Sequence, residues 1–197
     1  MATQVFLASG SPRRKELLAQ LGYQFEVLSV DVEEVHQAHE TPLMYVERLS
    51  KDKAQAGIKA LAEGNTIEHI EKKTVPVLGS DTIVVIDDVI LEKPKDFKDA
   101  KRMLLALSGR QHQVMTAVTL ATPETTKTKT VITQVWFRPL SEQEIEQYWE
   151  SGEPCDKAGS YGIQGSGGRF VSRIDGSYHA VMGLPLMETD QLLHQFL

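Results

Sequence analysis

Cysteine occurs once in 197 residues, at Cys155. That excludes an intrachain disulfide framework and fits a reducing cytosol. No apolar run approaches the roughly 20 residues a membrane-spanning helix needs. The N-terminus also lacks the basic, apolar and small-residue succession of a secretory leader, so a cytoplasmic protein with no membrane partner is expected. Cations are in the minority: 21 Lys and Arg against 27 Asp and Glu leave a net charge of −6. This balance disfavours non-specific binding to nucleic acid, which depends on a basic surface. The six histidines show no zinc spacing and no Cys–His cluster, and His112 and His179 read as structural. Neither G-x-x-x-x-G-K-[ST] nor G-x-S-x-G occurs. Internal repeats and low-complexity tracts are absent.

What remains is an ordinary globular composition, 41% hydrophobic and 24% charged, in one large domain or two small lobes. Residues 5–8 form a short apolar strand, followed by a helix over 12–21 with Pro12 first and Gly22 as its stop. Residues 24–30 read as a strand, with Phe25, Val27 and Ser29 on one side, and an acidic segment follows (Asp31, Glu33, Glu34). Thr41 caps a long helix whose apolar face carries Met44, Leu49, Ala56 and Leu61. Residues 63–74 are a polar connection. Val75–Leu78 and Ile83–Ile86 read as buried strand interrupted at Gly79-Ser80-Asp81-Thr82, with strand resuming at Val89 after an Asp87-Asp88 turn. Phe97, Ala100, Met103, Leu104 and Leu107 recur at helical spacing, between an Asp96 cap and Gly109. Residues 113–121 and 130–137 predict a hairpin, and Trp136 and Trp149 read as core or hairpin residues. Ser141 with Glu144 predicts a capping box for a helix to about residue 150. The stretch 155–168 is loop-like, 170–174 a short strand, and Leu184-Pro185 opens a C-terminal helix. Alternating strands and helices that give way to hairpins predict an α/β fold with a mixed central β-sheet, helices on its faces and a ligand crevice.

Residues 7–16, Leu-Ala-Ser-Gly-Ser-Pro-Arg-Arg-Lys-Glu, carry the strongest chemical signal. Arg13, Arg14 and Lys15 crowd a helix start, where the free N–H groups already bear partial positive charge. An anion on the turn resolves the conflict: Ser9, Ser11, Gly10, the free N–H groups and two guanidinium forks describe a phosphate cradle. A solvated basic helix end would contain the same residues. In an acidic chain, a polyphosphate requires such local cations or a recruited metal ion.

Asp81 lies between two apolar runs and needs a hydrogen bond, a metal or a function; a turn aspartate bonded to neighbouring N–H groups meets the same need. Pro94 forces an extended approach on Lys93. Glu33 and Glu34 follow a strand, as a Mg²⁺ or Mn²⁺ pair or as an acidic loop. The second Gly-rich stretch, 156–165, lets backbone approach a ligand, and its Gln164 offers a donor and an acceptor suited to a base edge.

Four ordered motifs, Ser9-Gly10-Ser11-Pro12-Arg13-Arg14, Gly79-Ser80-Asp81-Thr82, Glu92-Lys93-Pro94 and Asp156-Lys157-Ala158-Gly159, make the chain resemble the Maf family of nucleotide pyrophosphatases from residue 5 to about residue 190. Arg13, Thr82 and Gln164 resemble the branch acting on dTTP and UTP. The resemblance implies one Maf-like domain over 1–197, with two lobes around a cleft as in inosine triphosphate pyrophosphatases. It implies a cytoplasmic homodimer, a divalent metal cation (Mg²⁺ or Mn²⁺), and hydrolysis of the triphosphate to monophosphate plus pyrophosphate, in house-cleaning of nucleotide pools. Asp81 is then the proton acceptor. Arg13, Thr82 and Gln164 set base preference; Ser9, Ser11, Arg14, Lys53 and Lys93 bind phosphate; Glu34 and Asp81 hold the metal, with Glu33 a weaker analogue of Glu34. The alternatives are a pyrophosphatase for 7-methyl-GTP or another non-canonical nucleotide, and a nucleotide-binding regulator of cell division. Gly64 to Lys73 is longer than the branch pattern.

Overall fold

Seven strands build one mixed sheet in the order β2-β1-β3-β5-β6-β7, with β4 paired to β3. The computed structural model describes residues 2–63 and 75–197. The long Gly64–Lys73 segment, and nearly all of the 63–74 connection, lie outside the described residues. The strands are β1 (Val5–Leu7), β2 (Phe25–Val27), β3 (Val77–Ile86), β4 (Val89–Leu91), β5 (Gln111–Ala121), β6 (Thr126–Phe137) and β7 (Val171–Asp175). The helices are α1 (Pro12–Gln20), α2 (Pro42–Glu63), α3 (Phe97–Leu107), α4 (Glu142–Glu150), α5 (Tyr178–Met182) and α6 (Leu186–Leu193). Two compact units divide the chain: residues 1–81, 116–130 and 183–197, and residues 82–115 and 131–182.

In the first unit, β1 pairs in parallel with both β2 and β3 (Val5 opposite Phe25, Leu7 opposite Leu78). Parallel neighbours need covered faces, and the residues of β1 are fully buried. Phe6, Ala8, Leu61 and Val77 form an apolar cluster joined by Leu28, Val30, Ile58 and Val75. Ser11 caps α1 by accepting from the Arg14 N–H, and Pro12 occupies the first turn, where its missing N–H costs nothing. Gly22 follows the helix at φ +80, as its role as a stop requires. The Thr41 hydroxyl accepts from the Met44 N–H, so the expected cap of α2 is present. Its buried stripe, however, runs through Tyr45, Val46, Leu49, Ser50, Ala54, Gly57 and Leu61, whereas Met44 is exposed. Strand β2 is shorter than expected: after the Leu28 N–H bonds to the Leu7 carbonyl, the chain is irregular up to α2.

The expected break at Gly79–Thr82 is absent: β3 runs unbroken through it. Ser80 and Asp81 are tolerated there because each finds a partner, the Gly183 carbonyl and the Lys53 ammonium. Gly79 has a different reason. A Cβ on it would sit 2.3 Å from the Ser50 carbonyl oxygen and 2.6 Å from the Ala54 nitrogen, so only glycine lets the backbone of α2 lie directly on the strand.

In the second unit, Asp87 and Asp88 adopt φ of +50 and +60, the backbone of a tight hairpin turn. The chain therefore folds back, and β4 pairs antiparallel with β3 (Val84 opposite Leu91) instead of continuing its direction. The capping box of α4 is present in both directions, and the Asp96 cap of α3 is also made. The core joins Met103, Leu104 and Leu107 of α3 to Val135, Phe137, Tyr148, Tyr161 and Phe170. His112 is buried there, edge-on to Phe137 and bonded to the Tyr161 hydroxyl. Burial pulls its imidazole down to about 4, so it is neutral and structural near neutral pH. The stretch expected to be loop is largely 3-10 turns at Glu153–Asp156, Ala158–Ser160 and Ser166–Phe170.

Candidate active site

Strand geometry explains how Asp81 comes to be loaded. Alternate residues of β3 face the same side, so Asp81 shares a face with Gly79, the residue on which α2 rests. Lys53, one turn beyond Ser50 on α2, is thereby held over the strand, and its Nζ lies 2.6 Å from Asp81 Oδ1. The same ammonium lies 2.6 Å from Glu34 Oε1. Two carboxylates thus share one cation, and Asp81 is almost completely buried.

Ser80 points to the other side, and its hydroxyl donates to the Gly183 carbonyl at 3.1 Å. Arg14 Nε donates to that same carbonyl at 2.9 Å. The first turn of α1 completes the arrangement: the Ser9 hydroxyl accepts from the Ser11 N–H at 3.2 Å and from Arg14 Nη1 at 3.4 Å. Ser9 is buried. The first unit therefore brings together Ser9, Ser11, Arg14, Glu34, Lys53 and Asp81.

The electrostatics follow from this packing. Burial pushes the Asp81 carboxyl above its ordinary value; Lys53 and Arg14 oppose that push, and Glu34 adds to it. Burial lowers Arg14 against the attraction of Asp81 and Glu34, and Arg13 adds like-charge repulsion. A buried acid and a second acid on the Lys53 ammonium, with the Arg14 charge acting on both, are able to take a proton from water and to bind an anion through the cations.

Arg13 is half-exposed on the first turn of α1, and Glu33 lines an open depression with Asp31, Arg48 and Asp52. Thr82, Lys93 and Gln164 belong to the second unit. Thr82 is half-buried on β3; Lys93 and Gln164 are exposed. Gln164 occupies a turn whose C-terminal flank is tied to one carboxylate. Glu153 accepts from the Tyr148 hydroxyl and the Gly167 N–H on one oxygen, and from the Ser166 N–H and hydroxyl on the other.

Three structural contributors have no counterpart in the sequence motifs. Gly183 acts through a carbonyl, which leaves no side-chain signature. Glu153 grips backbone 13 and 14 residues away, outside any helical or strand period. Arg48 ties down the segment that carries Glu34. Its one available signal was the acidic run itself, since three neighbouring carboxylates call for a nearby cation.

An α/β protein with a buried acid between cations, beside the N-terminus of a helix, is of a class that handles phosphate esters or anhydrides. The profile of the Maf-like protein family matches residues 4–196, and the chain belongs to that family. A protein of Aliivibrio fischeri (strain ES114) named dTTP/UTP pyrophosphatase is 87% identical over the full length of both chains. Relatives bearing the same name occur in Photobacterium profundum, 65% identical over 100% of this chain and 98% of that one, and in Vibrio cholerae, 64% identical over 98% of each. Among solved structures, the Staphylococcus aureus Ham1 protein aligns at a TM-score of 0.46 and 15% identity, over 68% of this chain and 71% of its own.

Proposed function

We propose that this protein hydrolyses dTTP and UTP to the nucleoside monophosphate and pyrophosphate. The reading is carried by one observation: full-length relatives, one of them 87% identical, bear that activity in their name. The geometry around Asp81 supplies a mechanism consistent with it.

Water attacks the α-phosphorus and pyrophosphate leaves. Asp81 accepts the proton of the attacking water, a role suited to a carboxyl whose basicity burial has raised. Ser9, Ser11 and Arg14, at the first turn of α1, bind phosphate oxygens together with Lys53 and Lys93. Removal of one such group typically costs about 100–1000-fold in rate.

Glu34 and Asp81 fit a divalent metal, since the pair already converges on one cationic atom. Among the described residues no group of three or more His, Cys, Asp or Glu is placed to hold a metal alone. Mg²⁺ and Mn²⁺ suit such a donor set, because one or two carboxylates and the substrate's phosphates satisfy them. When bound, the ion neutralises charge that develops on phosphate oxygens.

Base choice is assigned to Arg13, Thr82 and Gln164. A uracil or thymine edge offers acceptor, donor, acceptor, and the Gln164 amide matches two adjacent elements; cytosine reverses part of that pattern. The family resemblance adds a single catalytic domain in a cytoplasmic homodimer, which light scattering tests for oligomeric state. The net charge of −6 supports the absence of a nucleic-acid partner. No described helix is long and apolar enough to cross a membrane.

A panel of canonical and modified triphosphates, with pyrophosphate detection and with Mg²⁺ or Mn²⁺ present or withheld, tests the whole reading. Metal-dependent turnover of dTTP and UTP above all others is expected. Preference for 7-methyl-GTP or a purine, or binding without turnover, overturns it.

A further inference from the structure

Residues 28–41, between β2 and α2, contain no strand or helix, yet they carry Glu34 to Lys53. Leu28 and Val30 at its start pack on the apolar cluster of the first unit, but the stretch beyond them is rich in like charge (Asp31, Glu33, Glu34, Glu40) and has no such anchor. It is held from α2. Arg48 is the hub: Nε and Nη2 grip the two carboxylate oxygens of Glu40 at 2.5 and 2.9 Å. Nη2 also donates to the Val35 carbonyl at 2.9 Å, and Nη1 reaches Asp52 at 3.2 Å.

Tyr45, one turn earlier on α2, donates its hydroxyl to the Glu34 carbonyl at 3.2 Å. The Arg48 guanidinium lies 5.5 Å from the centre of the Tyr45 ring, and His36 meets that ring edge-on. Consecutive carbonyls, of Glu34 and Val35, are thus fixed to one helix that also supplies Lys53. The grip persists across ordinary pH: the hydrogen bond from Arg48 outweighs burial and brings Glu40 down to about 2.

We infer that Arg48 is a positioning residue for Glu34, acting by clasping the chain that follows Glu34, at the Val35 carbonyl and the Glu40 carboxylate, so that the Glu34 carboxylate is presented beside Asp81. The inference rests on the proposed reading, in which Glu34 takes part in catalysis. Only a planar fork reaches Glu40, a carbonyl and Asp52 at once, so lysine is no substitute here.

A double-mutant cycle on the full chain tests this, with R48A, E34Q and R48A/E34Q assayed for UTP hydrolysis across a Mg²⁺ titration. R48A is expected to lower kcat, or to raise the Mg²⁺ concentration for half-maximal rate, by about 10–100-fold, the usual effect of removing a group that orients a ligand residue. R48K is expected to resemble R48A. In the E34Q background the same R48A change is expected to alter the rate by less than about 2-fold, because the group it orients no longer acts. Circular dichroism and the thermal midpoint check folding; if R48A fails to fold, E40Q, which weakens the clasp from its far side, replaces it in the cycle. Equal losses from R48A in both backgrounds, or wild-type behaviour of R48A, overturn the inference. Wild-type activity of E34Q instead overturns the catalytic reading of Glu34, so the two failures are distinct.

Discussion

Glu153→Gln is the sharpest test of how the second unit presents Gln164. The carboxylate accepts four hydrogen bonds. Tyr148 Oη at 2.7 Å and the Gly167 N–H at 3.0 Å share Oε1; the Ser166 N–H at 2.8 Å and its hydroxyl at 2.7 Å share Oε2. Glutamine keeps an acceptor on one side only. If that oxygen takes the place of Oε1, the Ser166 N–H faces an amide NH₂, donor against donor, while the Ser166 hydroxyl turns to accept. A lost charge-assisted bond with an unsatisfied partner costs about 1.5–3 kcal/mol when buried. Ser166 is exposed, so water softens the loss to about 1–2 kcal/mol, roughly 5–30-fold in the folding equilibrium. Linkage gives a consistent figure. Burial alone would raise the Glu153 carboxyl, but the hydrogen bonds from Gly167, Tyr148 and Ser166 outweigh it and bring it from 4.5 down to about 2. A depressed acid stabilises the fold fully above its unfolded value and loses that contribution as pH falls from about 4.5 toward 2. The ceiling for such a shift is about 3 kcal/mol, reduced by solvent screening to the same 1–2 kcal/mol. Both tryptophans, Trp136 and Trp149, lie in the second unit, so their fluorescence in urea titrations follows that unit. E153Q should lower the midpoint at pH 7 and converge on wild type as pH falls below 4.5. A difference under about 0.5 kcal/mol at pH 7, or one that does not change with pH, refutes the reasoning.

Gly79→Ala places a methyl 2.3 Å from the Ser50 carbonyl oxygen; displacement of α2 should cost about 1–3 kcal/mol, read as a lower thermal midpoint, with a larger fall in turnover because Lys53 moves with the helix. Lys53→Met removes the strongest charge opposing the burial of Asp81, so the acid limb of the pH–rate profile, already above the ordinary carboxylate value, should move further up; a limb that stays put or moves down contradicts the pairing. Asp81→Asn should reduce metal-saturated turnover by about 100–10,000-fold in folded protein, and near-normal rates would remove Asp81 from proton transfer. Gln164→Ala and Gln164→Glu should each narrow the gap between UTP and CTP turnover, and an unchanged ratio in both excludes this amide from base choice.

Legibility in the sequence tracked how local each interaction is. Caps and stops are readable because they are closed within three or four residues: Thr41, Asp96 and the Ser141–Glu144 box all stand where expected, as does the stop at Gly22. The Gly79–Thr82 stretch read as a break because Gly, Ser and Asp are poor strand formers on average. Tertiary partners override that preference: Gly183 takes Ser80, Lys53 takes Asp81, and α2 takes the space a Gly79 side chain would fill. Met44 read as apolar face because periodicity fixes a stripe only to within a residue or so; the buried stripe begins at Tyr45 and Val46. The motif residues were visible by type, but their grouping was not. Arg14, Ser80 and Gly183 meet over separations that no sequence period encodes.

Helix α2 unifies these particulars. Tyr45, Arg48, Asp52 and Lys53 follow helical spacing, so one face of a single rigid element holds both the irregular 31–40 segment and the acid of β3. Gly79 sets the distance of that element from the strand, and Gly57 does so a turn and a half farther on, where a Cβ would lie 2.6 Å from Val77. Loose packing at either glycine would separate Lys53 from Asp81 by far less than unfolding requires, yet by enough to break a 2.6 Å contact. Activity should therefore be more sensitive than stability to any change that lifts α2, whereas changes on α3 or α4 should lower the two together. Parallel measurement of turnover and thermal midpoint for Gly57→Ala and Leu104→Ala separates these cases. A Gly57→Ala variant whose activity falls only in proportion to its folded fraction would show that α2 is not the element that sets the site.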